Sequence, residues 1–251
     1  MSTQPQPPLS DLLAYLGEIG YGDLYLGASR LRAFAAPQAA EASLPAVSQA
    51  IPQTISQEAA APDEAGAARE DELAALAAVA SVCTRCRLSE GRQKVVFGSG
   101  NPRAELMLIG EGPAAEEDRQ GLPFVGAAGE LLTKIIQAIE MTRDEVYIAN
   151  MVKCRPPGNR DPQPDEVAAC RGYLERQIDL VAPKVIVALG RVAAQALLGN
   201  DSPIGQMRGR WFQVRGVPTM VTYHPAALLR NQALKRPTWE DMQQVRDRLR
   251  G

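Results

Sequence analysis

No stretch of this chain approaches the ~20 consecutive apolar residues that a membrane span requires, and its N-terminus lacks the basic-then-apolar pattern of a secretory signal. Both absences argue against a spanning or exported class, and the expected location is the cytoplasm. Histidine occurs once, at His224, which excludes a site built from several imidazoles. Cysteine is confined to Cys83, Cys86, Cys154 and Cys170. A disulfide framework is not expected in a cytosolic chain with so few. Lysine is missing from the first 75 residues, which hold 3 Arg against 10 Asp and Glu and leave 24 basic and 19 acidic residues for 76–251. The net charge of -2 therefore conceals an acidic arm and a basic remainder. A basic body suits a polyanionic partner.

At 251 residues and 45% hydrophobic composition, the chain can bury one sizeable core. Residues 1–32 contain a short amphipathic segment (Leu12, Leu13, Leu16, Ile19, Leu24, Leu26) that can dock on a protein partner or simply cover part of a domain. Residues 33–75 are rich in Ala, Pro, Gln, Ser and Glu without periodicity, the composition of a disordered linker. The pattern changes in 76–251, the expected folded domain. Apolar runs at 105–109, 146–151, 184–189 and 219–223 read as buried strands, and helical stretches are expected at 129–140, 164–181, 191–198 and 238–249. Strand alternating with helix argues for an α/β fold, a parallel sheet wrapped on both faces. Residues 205–218 read as a hairpin or irregular crossover.

Open parallel sheets bind ligands beyond the carboxyl ends of their strands. The four runs are followed by Gly110-Glu111-Gly112-Pro113, by Asn150, by Gly190 and by His224-Pro225, which places a cleft on that edge. A lone histidine is more often structural than catalytic, but its position at a strand end reverses that inference. Leu228 and Arg230 follow it on a loop suited to wedge into a duplex and anchor on phosphate; packing of the leucines on the core is the plainer alternative. Cys83 and Cys86 form a C-x-x-C pair, and with Cys154 and Cys170 they can close one metal site. Spacing alone leaves structural zinc and a 4Fe-4S cluster both open.

The segments Gly110-Glu111-Gly112-Pro113, Glu117-Asp118, Gly121-Leu122-Pro123-Phe124-Val125-Gly126, Asn150 through Pro157, Asn159-Arg160 and His224-Pro225 resemble family 4 uracil-DNA glycosylases over 76–251, with all four cysteines in place. The resemblance implies a three-layer α/β/α fold around a four-stranded parallel sheet. It also implies a 4Fe-4S cluster on Cys83, Cys86, Cys154 and Cys170, and excision of flipped-out uracil from DNA by a monomer in base-excision repair. On this basis Phe124 stacks on the base and Asn150 reads its edge, with Gly112 in the pocket wall. His224 bonds the uracil O2 as charge accumulates, Glu111 and Glu117 position water and support the sugar cation, and Asn159 orients water or phosphate. Two features depart from the pattern, Ala114 and the long acidic N-terminal arm, which the resemblance does not explain. Ala114 stands where glycine is usual, near the site that must crowd out the thymine methyl. No Asp follows Gly110-Glu111, so the water-activating base of other branches is missing. A non-catalytic, metal-stapled DNA-binding module and a zinc-stabilised nucleoside hydrolase are the competing readings.

Overall fold

A computed structural model describes residues 64–251. The segment at 1–32 and the expected linker as far as residue 63 lie outside the described residues. Residues 64–75 correct the linker expectation, because they are the first turns of helix α1, Glu64–Ser81. Alanine-rich composition serves linkers and helices equally. Here no proline occurs between Pro62 and Pro102, strong helix formers dominate, and Leu73 and Leu76 anchor the helix on the core.

The chain continues through α2 (Leu88–Gly91), β1 (Ser99–Gly100), β2 (Leu106–Gly110), α3 (Ala115–Gln120), α4 (Ala127–Ala138) and β3 (Tyr147–Asn150). It then forms α5 (Pro164–Val181), β4 (Val185–Leu189), α6 (Arg191–Leu198), α7 (Ile204–Met207), β5 (Trp211–Val214), β6 (Val217–Thr222), α8 (Pro225–Arg230) and α9 (Lys235–Leu249). The sheet order is β1-β3-β2-β4-β6-β5. Its centre, β3-β2-β4-β6, is parallel and consists of the four expected runs. The sheet has six strands rather than four because short antiparallel strands are added at both edges. β5 and β6 form the hairpin, turning through Arg215 (φ 51°) and Gly216 (φ 80°), the two left-handed residues that a twist-matched two-residue turn requires.

Successive residues of β2 point to opposite faces, as the two-residue period of a strand demands. Leu106 and Leu108 pack with Leu132 and Ile136 of α4 and with Met242 and Val245 of α9. Met107 and Ile109 pack with Leu174 and Ile178 of α5, Ala193 of α6 and Leu73 of α1. Three layers result, and the central strands are buried on both sides. No described helix is long and apolar enough to cross a membrane. From β2 the chain moves outward to β3, then returns across β2 to β4. The connections leaving β2 and β4 thus diverge, and the crevice between them is a topological switch point.

Candidate active site

A cavity of about 510 Å³ opens at that switch point. Its walls include Glu111, Gly112, Pro113 and Ala114 after β2, Asn159, Arg160 and Asp161 after β3, Gly190 and Arg191 after β4, and Tyr223, His224 and Arg230 after β6. The sheet architecture therefore brings four sequence-distant segments to one edge. Asp161 accepts a bond from Arg191 at 2.5 Å and is within carboxyl–carboxylate hydrogen-bonding reach of Glu111. Burial, and then the Asp161 charge, push the Glu111 carboxyl up to about 7; Arg191 pulls the other way. The Arg160 guanidinium grips the fully buried Glu166 carboxylate with two bonds of 2.9 and 2.7 Å. Asn159, at φ 55°, accepts from Arg155 Nε at 2.8 Å.

Asn150 and Phe124 lie behind the open cavity, on either side of Gly110. A Cβ on Gly110 would stand 2.4 Å from Asn150 Oδ1 and 2.6 Å from Phe124 Cζ, so only hydrogen fits between them. Asn150 is buried, and its Oδ1 is the buried side-chain polar atom without a hydrogen-bond partner among the described residues. Such an atom costs about 1–3 kcal/mol unless something donates to it. The Asn150 carbonyl is held from the other side by the buried Lys153 Nζ at 2.9 Å. Phe124 occupies a left-handed conformation (φ 53°), strained for a side chain of its size. Arg143 fixes it there by donating to the carbonyls of Phe124 and Pro123 at 3.0 and 2.9 Å. The rings of Phe124 and His224 are 5.5 Å apart at a tilt of 31°.

His224 caps α8, its Nδ1 accepting from Ala226 N at 3.1 Å. Nδ1 is then the unprotonated nitrogen and the ring proton sits on Nε2. Burial, with the positive charge of Arg230 in second place, pushes the imidazole down to about 4, so it is neutral at physiological pH.

The four cysteines line a separate small cavity with Arg85, Arg92 and Tyr173. Arg92 donates to Cys154 Sγ at 3.3 Å, and Lys153 N to Cys170 Sγ at 3.3 Å. Burial pushes both thiols up while these cationic neighbours pull them down, an environment that favours thiolate once a metal compensates burial. Among the described residues no three His, Cys, Asp or Glu side chains are grouped so as to hold one metal ion. The thiols instead surround a shared space.

A model of the uracil DNA glycosylase superfamily matches residues 97–243. Type-4 uracil-DNA glycosylases match with high identity. That of Sulfurisphaera tokodaii is 45% identical over 174 residues, covering 66% of this chain and 79% of that protein. Those of Saccharolobus solfataricus and Thermotoga maritima are 42% and 44% identical, covering 71% and 65% of this chain and 87% and 88% of theirs. The chain belongs to the uracil-DNA glycosylase superfamily. The type-4 resemblance drawn from its motifs is borne out by these relatives.

Within this superfamily chain, the cavity gathers the expected Glu111, Gly112, Asn159, His224 and Arg230, with Ala114 in its wall. Glu117 does not line it: the side chain is buried and accepts from Ala114 N at 3.1 Å, closing the first turn of α3. The structure places it as a helix cap, outside the cavity that the other expected catalytic residues share. Asp118 is likewise buried, binding Gln93 N at 2.9 Å. The wedge assignment is corrected. Leu228 is 2% exposed and packs inward, whereas Leu229, one residue on, is 50% exposed. A 100° step along the helix separates those fates, and the loop reading of 225–230 missed it because the segment is helical. Asp161, Arg191, Tyr223 and Arg143 were not anticipated. For Asp161 and Arg191 the sequence signals were the Asn-Arg-Asp run and the strand–Gly–Arg junction.

Proposed function

We propose that this chain is a uracil-DNA glycosylase of base-excision repair, hydrolysing the N-glycosidic bond of flipped-out deoxyuridine to leave uracil and an abasic site. The observation that carries it is the unpartnered Asn150 Oδ1, buried beside a strained phenylalanine, with both side chains packed so closely on Gly110 that only a glycine fits there. A base extruded from a duplex is read by stacking and by its Watson–Crick edge. Uracil presents an N3–H donor, which satisfies Oδ1, and an O4 acceptor for the amide Nδ2. Cytosine presents the opposite pair and leaves both groups of Asn150 unmatched.

Bond cleavage places negative charge on the departing base. His224, neutral and protonated on Nε2, donates to the uracil O2 as that charge develops. A preorganised donor of this kind is worth about 10²–10³ in rate. Glu111 faces the cavity where water must approach the sugar, and Asn159 orients water or phosphate. Arg230, in the cavity wall, offers a cation suited to the DNA backbone, and Leu229 takes the wedge position in place of Leu228. Cys83, Cys86, Cys154 and Cys170 would hold a 4Fe-4S cluster. The fit is supported by four thiols around one cavity and by donors aimed at two of the sulfurs. The cluster would supply a rigid cross-link between chain segments, since this hydrolysis transfers no electrons.

Incubation with a uracil-containing oligonucleotide followed by alkali tests the reaction. Strand breaks at the uracil position, absent from a thymine control, are expected. Tight binding without breaks would instead identify a non-catalytic DNA-binding module.

A further inference from the structure

Glu111 and Asp161 come from different connections, one after β2 and the other beyond β3, yet their carboxyl groups meet in the wall of one cavity. Arg191, at the start of α6, completes the group by binding Asp161 Oδ2 at 2.5 Å, while its other nitrogen donates to Gln195 at 3.1 Å. Asp161 also accepts through its carbonyl from Arg160 Nη1 at 2.9 Å. Two carboxyls in hydrogen-bonding reach share a proton or repel. An arginine on one of them decides which carries the charge.

We propose that Asp161, anchored by Arg191, is a positioning residue that orients the Glu111 carboxyl through a carboxyl–carboxylate hydrogen bond and makes Glu111 the group that accepts the proton of the attacking water. This inference rests on the glycosylase reading. It supplies the base that the sequence lacks after Gly110-Glu111. In the balanced step the water oxygen bonds C1′ of the deoxyribose as the C1′–N1 bond breaks. The bonding pair leaves on uracil, stabilised at O2 by His224, and one water proton passes to Glu111 Oε. That proton later returns to solvent or to the uracil anion, regenerating the carboxylate.

The neighbours of Glu111 make the idea separable from a purely structural role. Asp161 raises the proton affinity of Glu111 and Arg191 lowers it, after burial has raised it toward about 7. The other perturbed groups of the cavity, Arg160 and His224, are shifted away from neutrality. Arg160 is committed to Glu166, and His224 is neutral above about 4.

Single-turnover excision of uracil from an oligonucleotide, measured from pH 5 to 9 in about half-unit steps, reads this directly. Wild type should show an acid limb near 7. Asp161→Asn should move the limb down by about one pH unit, the size of effect a neighbouring charge exerts, and Arg191→Gln should move it up. At pH 6 the aspartate variant would then retain several-fold more of its plateau rate than wild type does. Both side chains are about half exposed, at 58% and 49%, so folding survives their replacement. Titration of the Glu111 side-chain carbon by NMR without DNA follows the same proton independently of turnover, and should shift in the same two directions. Opposed shifts support the assignment; unmoved limbs, or limbs that move together, overturn it. A wild type that makes no abasic sites would sink the glycosylase reading itself, a different failure from an active enzyme whose limb ignores Asp161.

Discussion

At the scale of single residues, the proposed function assigns base specificity to Asn150. Its amide is buried, its backbone carbonyl is tied to Lys153, and its Oδ1 awaits a donor. Asn150→Asp replaces one donor by a second acceptor, so the contact to the uracil O4 becomes repulsive and an approach by the amino group of cytosine becomes favourable. Leaving a buried group unmatched costs about 1–3 kcal/mol, and each 1.36 kcal/mol is about tenfold in rate. Uracil excision should therefore fall roughly ten- to several-hundredfold, with discrimination shifted toward cytosine. Single-turnover rates on uracil and on cytosine, each opposite an abasic analogue, measure both effects. A variant that keeps its uracil rate and its discrimination would show that Asn150 does not read the base edge.

At the scale of elements, the short helix α8 gives its adjacent leucines opposite environments. Leu228 is packed at 2% exposure and Leu229 projects at 50%. Truncating a buried leucine to alanine costs about 2–5 kcal/mol, so Leu228→Ala should lower the melting temperature and reduce excision equally from single- and double-stranded substrates. Leu229→Ala should leave stability within about 0.5 kcal/mol and reduce excision from duplex far more than from single strands, because only the duplex must be unstacked. Equal losses from both substrates with Leu229→Ala would remove it from the wedge position. This pair also marks where the sequence ceased to be legible. The parallel strands were readable because buried β2 and β4 are continuous apolar runs, and α5 and α6 because proline and glycine mark their starts. β1, at two residues, is too short to show a period, and β5 was legible only as part of the hairpin or irregular crossover at 205–218. Asn150, Phe124 and His224 could be placed because each stands in a motif bounded by glycine, proline or a strand end. Glu117 could not, since an acid in the first turn of a helix looks the same whether it caps or catalyses. Asp161 and Arg191 become partners only when the sheet brings β3 and β4 to opposite sides of β2.

At the scale of the whole molecule, the cysteine cavity ties together segments that the sheet alone leaves loosely connected. Cys83 and Cys86 lie between α1 and α2, Cys154 follows β3, and Cys170 is in α5. Polar bonds extend this junction toward the active site. Arg87, next to Cys86, donates to Glu166 at 2.9 Å, and the same buried carboxylate holds Arg160 in the cavity wall. Lys153, next to Cys154, holds the Asn150 carbonyl. A metal centre binding all four thiolates would therefore fix the base-reading strand end and the Asn159–Asp161 loop together. Freshly purified protein should be brown and contain about four iron and four sulfide per chain; zinc without iron would sink the cluster assignment. Cys83→Ser removes one thiolate at the outer segment and should lower the iron content and the melting temperature together. Its effect on the reaction should then follow geometry rather than chemistry. Excision should fall for single- and double-stranded substrates alike, because the loop carrying Asn159 and Asp161 is needed for both. Loss of iron with stability and excision unchanged would show that the Arg87–Glu166–Arg160 links hold the loop unaided.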